Sequence, residues 1–184
     1  SSKSIPVADE ETISKYVSTR GENVAETVHH LDLYKESKFL ENNVTLVDSP
    51  GLNGVASGHA EMTKDQIRKS SASIFMFSAR QPGSKTDFEV LAELSKSVSS
   101  IICVLNQIDA IKTNEGETVE SVIQKLKSNY KEVMGDSVTS IPEIYPVSAR
   151  QALLGRDDSM TYNDDLGNEK TLTSEQRSEI IKKS

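Results

Sequence analysis

The chain has 184 residues, with 21 Lys and Arg against 28 Asp and Glu and a formal net charge of -7. That length suits one domain, or one domain with an appendage, and is enough to bury a core. The acidic balance leaves no basic footprint for nucleic acid, and a single cysteine, Cys103, excludes an intrachain disulfide and suits a reducing, cytosolic compartment.

At the N-terminus "SSKSIPVADEE" lacks a signal peptide's apolar core, and no apolar run approaches membrane-spanning length. Any membrane contact is expected to be peripheral or to come from sequence outside these residues. "DEETISKYV" places Ile13, Tyr16 and Val17 on one helical face behind acids suited to a helix start. "NVAETVHHLDLY" is rich in β-branched residues but polar on both faces, the pattern of an edge strand. "NVTLVDSPG" reads as an apolar strand closed by Asp48. "HAEMTKDQIRKSSA" is a polar, weakly amphipathic helix, and "SIFMFSA" a short continuous apolar strand. "KTDFEVLAELSKSV" puts Phe88, Leu91, Leu94 and Val98 on one helix face. "SIICVLNQID" is the strongest strand in the chain, apolar for five residues and closed by polar ones. "ETVESVIQKLKSNYKEV" then spaces Val119, Val122, Ile123, Leu126, Tyr130 and Val133 as one helical stripe, acids early and lysines late as the helix dipole prefers. "PEIYPVSAR" is the last strand. "GRDDSMTYNDDLGNEK" has almost no apolar content and is expected to be a mobile acidic loop over residues 156–170. A helix over residues 171–184 follows, behind a capping box of Thr173 with Gln176.

Apolar strands alternating with amphipathic helices predict a three-layer α/β fold, a mostly parallel sheet with helices on both faces. Ligands of such sheets lie outside the carboxyl ends of the strands. Those ends are Asp48-Ser49-Pro50-Gly51, Ser78-Ala79-Arg80, Asn106-Gln107-Ile108-Asp109 and Ser148-Ala149-Arg150. Taken alone, "VTLVDSPGLNG" fits either a strand followed by a Pro-Gly turn or a phosphate site with a carboxylate at the strand end.

Three of the four ends resemble known elements when read together. "DSPG" resembles the Asp-x-x-Gly element of GTP-binding proteins, "NQID" their Asn-Lys-x-Asp guanine element, and "SAR" their Ser-Ala-Lys-like guanine loop, in the same order. The resemblance implies a P-loop GTPase-type sheet and assigns roles. Asp48 would hold Mg2+ through a coordinated water, and Gly51 would offer its N–H to the γ-phosphate, with Ser49 and Pro50 between them. Asp109 would accept from the N1–H and exocyclic amine of guanine, a donor pair that adenine lacks. Asn106 would bridge loops and reach the base, and the Ala149 N–H, flanked by Ser148 and Arg150, would meet the guanine oxygen. Gln107 departs from the pattern, standing where the family usually has a lysine whose stem covers the base.

"LYKESKFLENNVTLVDSPGLNG", "IRKSSASIFMFSARQPGSKTDFEVLAEL" and "IICVLNQID" together resemble the GTPase domain of bacterial dynamin-like proteins, over roughly residues 9–154. The resemblance implies a GTPase-type domain over residues 1–155, GTP or GDP with Mg2+ as ligands, and pairing with the GTPase domain of a second copy. It also implies membrane remodelling through regions outside this chain, and so a cytoplasmic, peripherally membrane-associated protein. Leu52 stands where small signalling GTPases place a catalytic glutamine, so no catalytic residue is assigned. No G-x-x-x-x-G-K-[ST] occurs in the sequence. The expectation is a piece of a longer protein, with a sheet incomplete at its N-terminal side and no activity alone; the other reading is a degenerate homologue that never had the loop. The alternatives are another GTPase class, such as a ribosome-assembly GTPase, and a GTPase-fold interaction module without turnover. His29, His30 and His59 lack a convincing ligand set and read as surface histidines, and Cys103 reads as core packing. Arg80 and Lys85 fit either solvated loop charges or contacts to a phosphate or partner domain.

Overall fold

The structure, a computed structural model, describes residues 32–34, 36–49, 65–135, 141–163 and 167–183. The chain divides into two compact units, Ser1–Asp48 and Ser49–Ser184. The expected helix at 9–17 and nearly all of the expected edge strand at 23–34 lie outside the described residues, as do His29, His30, His59, Pro50, Gly51 and Leu52.

In the first unit a 3-10 turn, Lys38–Asn43, starts where the Ser37 side chain accepts the Phe39 N–H at 3.3 Å. It breaks at Glu41 and Asn42, and the φ values of Asn42 and Asn43, 60° and 62°, are left-handed, a region asparagine tolerates better than most residues. Val44–Asp48, expected as a strand, belongs to no strand, and its Val44, Leu46 and Val47 are exposed. The run is apolar enough for a buried strand, but a strand exists only where a neighbour completes its hydrogen-bond ladder, and none is described here.

The second unit holds a parallel sheet of three strands in the order β1 (Ser73–Ser78), β2 (Ile101–Asn106) and β3 (Ile144–Pro146). Helix α1 (Lys85–Ser97) connects β1 to β2, and α2 (Val119–Met134) precedes β3. Each starts at a capping box, Ser84 with Asp87 and Thr118 with Ser121, so the orphan N–H groups of the first turn are satisfied locally. Gly135 closes α2 with φ +63°. The apolar stripes read from the sequence face inward: Phe88 and Leu91 of α1 and Val122, Leu126 and Tyr130 of α2 pack on Phe77, Cys103, Leu105 and Ile144 of the sheet. Val133, at the end of the α2 stripe, is exposed instead. Phe88 is the pivot of this core, with ring centroids 6.2 Å from Phe77 and 5.5 Å, edge-on, from Tyr130. Burial also pushes the Cys103 thiol up to about 11, which leaves it a neutral packing group at neutral pH.

The fold class is therefore the expected one, a parallel α/β sheet of the P-loop GTPase type. Both α1 and α2 contribute to one core on one face of the sheet, whereas the alternate residues Ile74, Met76, Ile102 and Tyr145 of the other face are exposed. Parallel sheets ordinarily bury both faces, which is why these strands read as continuous apolar runs.

The loop from β1 into α1 is fixed by one glycine. Gly83 has φ +72°, and a Cβ there would lie 2.4 Å from the Phe88 ring, which its two aromatic neighbours prevent from swinging away. Left-handed strain adds to overpacking, so Gly83→Ala should lower unfolding free energy by about 2–5 kcal/mol. Urea denaturation reads this directly, and an unchanged midpoint would contradict the packing described.

Two local features differ from the sequence expectation. β3 stops at Pro146, and Ser148, Ala149 and Arg150 do not end a strand: Ser148 caps α3 (Ala149–Arg156), accepting the Gln151 N–H at 3.3 Å. The segment "ARQALLGR" is rich in strong helix formers, yet its adjacent leucines give no 3.6-residue period by which to recognise a helix. Within the expected acidic loop, β4 (Thr161–Asn163) pairs antiparallel with β5 (Glu169–Thr171). Backbone pairing and a 2.6 Å bond from Thr161 Oγ1 to Glu169 form this hairpin without an apolar face. Helix α4 (Ser174–Lys183) begins at the Thr173 and Gln176 box, in which the Thr173 N–H donates to Gln176 Oε1 at 2.9 Å. It docks on α3: Gly155 meets Ile181 so closely that a Cβ would lie 2.7 Å from it, and Arg177 donates to the carbonyls of Leu154 and Asp157 at 2.6 Å each. A buried guanidinium thus completes the C-terminal end of α3.

Candidate functional site

All three strands of the parallel sheet point their carboxyl ends to one edge, and four chain segments meet there. Ser78 and Asn106 are register partners at the ends of β1 and β2, and Leu105 pairs with Pro146. The ladder continues past the strands through Ala79 N–H to Asn106 O (2.8 Å), Val147 N–H to Leu105 O (2.9 Å) and Ile108 N–H to Val147 O (3.3 Å). The polar residues that follow are therefore carried on rigid backbone, as a site built on strand ends requires.

Asn106 joins two of these segments. Its Oδ1 accepts the Gln107 N–H at 2.8 Å and the Ala149 N–H at 3.1 Å, which leaves the side-chain NH2 as donor. The chain turns at Gln107, in the left-handed region at φ 65° and ψ 34°, and enters a short 3-10 turn, Ile108–Ala110. That turn brings Asp109 toward α3, where the Ser148 hydroxyl donates to Asp109 Oδ1 at 2.5 Å. Ser148 is fully buried and also caps α3, so its oxygen accepts the Gln151 N–H while its proton goes to Asp109. Asp109 is exposed, with one oxygen tied back and the second available to accept. On the other side Ser78 Oγ donates to Gln107 Oε1 at 2.6 Å.

The expected residues Asn106, Gln107, Asp109, Ser148 and Ala149 are thus brought together, with Arg150 exposed in the first turn of α3. The Ala149 N–H, expected to meet a guanine oxygen, donates to Asn106 Oδ1 at 3.1 Å in this structure, because the Ser148 cap aims the first turn of α3 at that side chain. Asp48 and Ser49 are both exposed and fall on either side of the division between the two units; Pro50 and Gly51 lie outside the described residues. Lys85 pairs with Glu89 at 3.8 Å on the surface of α1, and Arg80 is an exposed loop residue. Sequence reading placed Ser78 and Ser148 at strand ends but missed their partners. Contacts spanning 29 and 39 residues leave no local pattern.

Among the described residues no group of three His, Cys, Asp or Glu side chains is placed to hold a metal ion. An open hollow lined by Glu36, Ser37, Lys38, Leu40 and Glu41 belongs to the first unit and contains none of the residues above.

A family model described as the dynamin family matches residues 3–109, a stretch that takes in the "DSPG" and "NQID" elements. The chain is 26% identical to an uncharacterized protein in the xynA 3' region of Caldicellulosiruptor sp. (strain Rt8B.4), over 84% of this chain and 36% of that protein. It is also 26% identical to Dynamin-like protein 1 of Campylobacter jejuni, over 75% of this chain and 19% of that protein. Against Dynamin-like protein A of Bacillus subtilis the identity is again 26%, over 77% of this chain and 12% of the other. The chain thus spans about a third of the first of these relatives and less of the other two. No solved structure gives a significant match. With more than half of its residues inside the family match, on a parallel sheet of the GTPase type, the chain belongs to the dynamin family, whose members are in general GTPases that bind GTP or GDP with Mg2+ and self-associate.

Proposed function

We propose that these residues read the guanine base for a dynamin-like, membrane-remodelling GTPase. The observation that carries this is the tethered carboxylate: Asp109 is held by Ser148 with one oxygen left to accept, beside Asn106, which ties the two loops together. A fixed acceptor set at the end of a parallel strand suits the N1–H and amino donors of guanine. Adenine, offering no such pair, would leave the carboxylate unsatisfied. The Asn106 NH2 donates to the base, and Gln107 lies against its face. The Ala149 N–H reaches the guanine oxygen by sharing or leaving its bond to Asn106.

Asp48 would hold Mg2+ through a coordinated water, and Gly51 would offer its N–H to the γ-phosphate. A single carboxylate suffices, because Mg2+ at triphosphates keeps several waters and takes its other ligands from phosphate. The catalytic residue is not among those assigned. Leu52 carries no group able to orient water, so turnover depends on groups outside this constellation. The partners that follow are guanine nucleotide, the GTPase domain of a second copy and a membrane reached through regions outside this chain, and not nucleic acid. The setting is cytoplasmic and peripherally membrane-associated. No helix among the described residues is long and apolar enough to cross a membrane.

The test is turnover by the intact protein that carries this chain, with phosphate release followed for GTP and for ATP. Hydrolysis of GTP alone is expected; equal hydrolysis of both, or of neither, contradicts the proposal. The 184-residue chain itself, at net charge -7, should stay near background in co-sedimentation with anionic liposomes. Strong, salt-sensitive pelleting would place a lipid site in these residues.

A further inference from the structure

Gln107 is an exposed residue in a backbone conformation that is costly for any side chain with a Cβ. Left to itself, such a glutamine would sample many rotamers. Instead its carbonyl accepts a 2.6 Å hydrogen bond from Ser78, a residue 29 positions earlier in the chain. Ser78 is itself fixed: it is the register partner of Asn106, and its oxygen accepts the Arg80 N–H at 3.3 Å. With that lone pair engaged, the single hydroxyl proton is directed at Gln107. The side chains of Gln107 and Asp109 therefore leave one short turn toward different anchors, Ser78 on β1 and Ser148 at the start of α3.

We propose that Ser78 is a positioning residue for purine recognition: its hydroxyl latches the Gln107 amide so that the flat, neutral amide plane is held ready to cover the base whose edge Asp109 reads. This deepens the guanine reading above and rests on it. The latch gives a physical reason for glutamine to serve where an ammonium-bearing stem is expected. One fixed acceptor bond orients the amide plane, and its NH2 is turned away from Ser78 with both donors left to point elsewhere. A costly backbone conformation kept at an exposed position is the kind of local strain that accompanies ligand contact.

The experiment is a double-mutant cycle in the intact protein, with GDP affinity measured by calorimetry for the wild type, Ser78→Ala, Gln107→Ala and the double variant. Ser78→Ala should raise the dissociation constant about three- to tenfold, the value of one lost neutral hydrogen bond. In the Gln107→Ala background the same change should have no further effect, and Ser78→Thr, which keeps the hydroxyl, should restore wild-type affinity. Gln107→Gly should raise thermal stability while weakening GDP binding, a split that a purely structural role would not produce. If Ser78→Ala acts equally in both backgrounds, or in neither, the latch is refuted. Asp109→Asn in the same protein separates the two levels. A shift toward xanthine nucleotide without Ser78–Gln107 coupling removes the latch alone; no shift removes the base site, and the latch with it.

Discussion

Asp109→Asn should turn a guanine-selective protein into a xanthine-selective one. On the proposed reading the carboxylate accepts two charge-assisted bonds from guanine, worth about 1.5–3 kcal/mol each. Their loss should weaken GDP or GTP binding by about two to four orders of magnitude. The structure says which way the new amide faces. Ser148 keeps its proton for the group at Asp109 Oδ1, because its oxygen already accepts the Gln151 N–H as the cap of α3. The asparagine oxygen therefore stays on Ser148, with its second lone pair left for the N1–H of the base, and its NH2 faces the C2 substituent, where it meets the amino group of guanine as donor against donor. Xanthine carries a carbonyl in place of that amine and accepts from the amide. Competition between GDP and xanthosine diphosphate in the intact protein reads the exchange, and an unchanged preference for GDP would reject the assignment.

The 184-residue chain on its own should bind GTP several orders of magnitude more weakly than a complete phosphate-binding GTPase, and should hydrolyse none. Its sequence contains no G-x-x-x-x-G-K-[ST], the element whose row of backbone N–H groups, lysine and Ser/Thr magnesium ligand neutralises a triphosphate. Each absent charge-assisted bond is worth about 1.5–3 kcal/mol, and every 1.4 kcal/mol is tenfold in affinity. What remains addresses the base and the metal's outer shell, and binding should change little between GMP, GDP and GTP. Calorimetry with Mg2+ that returned micromolar GTP affinity for this chain alone would overturn the account.

The sheet was legible because period and composition agreed. "SIFMFS" and "SIICVLN" are continuous apolar runs, and the stripes Phe88-Leu91-Leu94 and Val122-Leu126-Tyr130 leave no other face for their helices to bury. The run Val44–Asp48 has the same composition and belongs to no strand among the described residues, because composition reports what a segment would bury and not which segment pairs with it. Helix α3 was hidden by its adjacent leucines and by a glycine, Gly155, which the sequence marks as a helix breaker and the structure uses for the close approach of Ile181. The candidate residues were picked out by their place at expected strand ends, where parallel sheets collect ligands, together with their resemblance to guanine elements. The bonds that orient them were not, since Ser148 to Asp109 and Ser78 to Gln107 depend on which strands become neighbours. The Ala149 amide shows the same limit: its position was foreseeable, its engagement with Asn106 was not.

The central claim is that a guanine-reading end is already built into β2, β3 and the start of α3. The most direct measurement is a two-dimensional 1H–15N NMR titration of the 184-residue chain with millimolar GMP and, separately, AMP, which avoids any need for triphosphate contacts. GMP should shift the amides of Gln107, Asp109, Ser148 and Ala149 in a saturable way, and AMP should leave them in place. Equal shifts with both nucleotides, or GMP shifts confined to other parts of the chain, would contradict it.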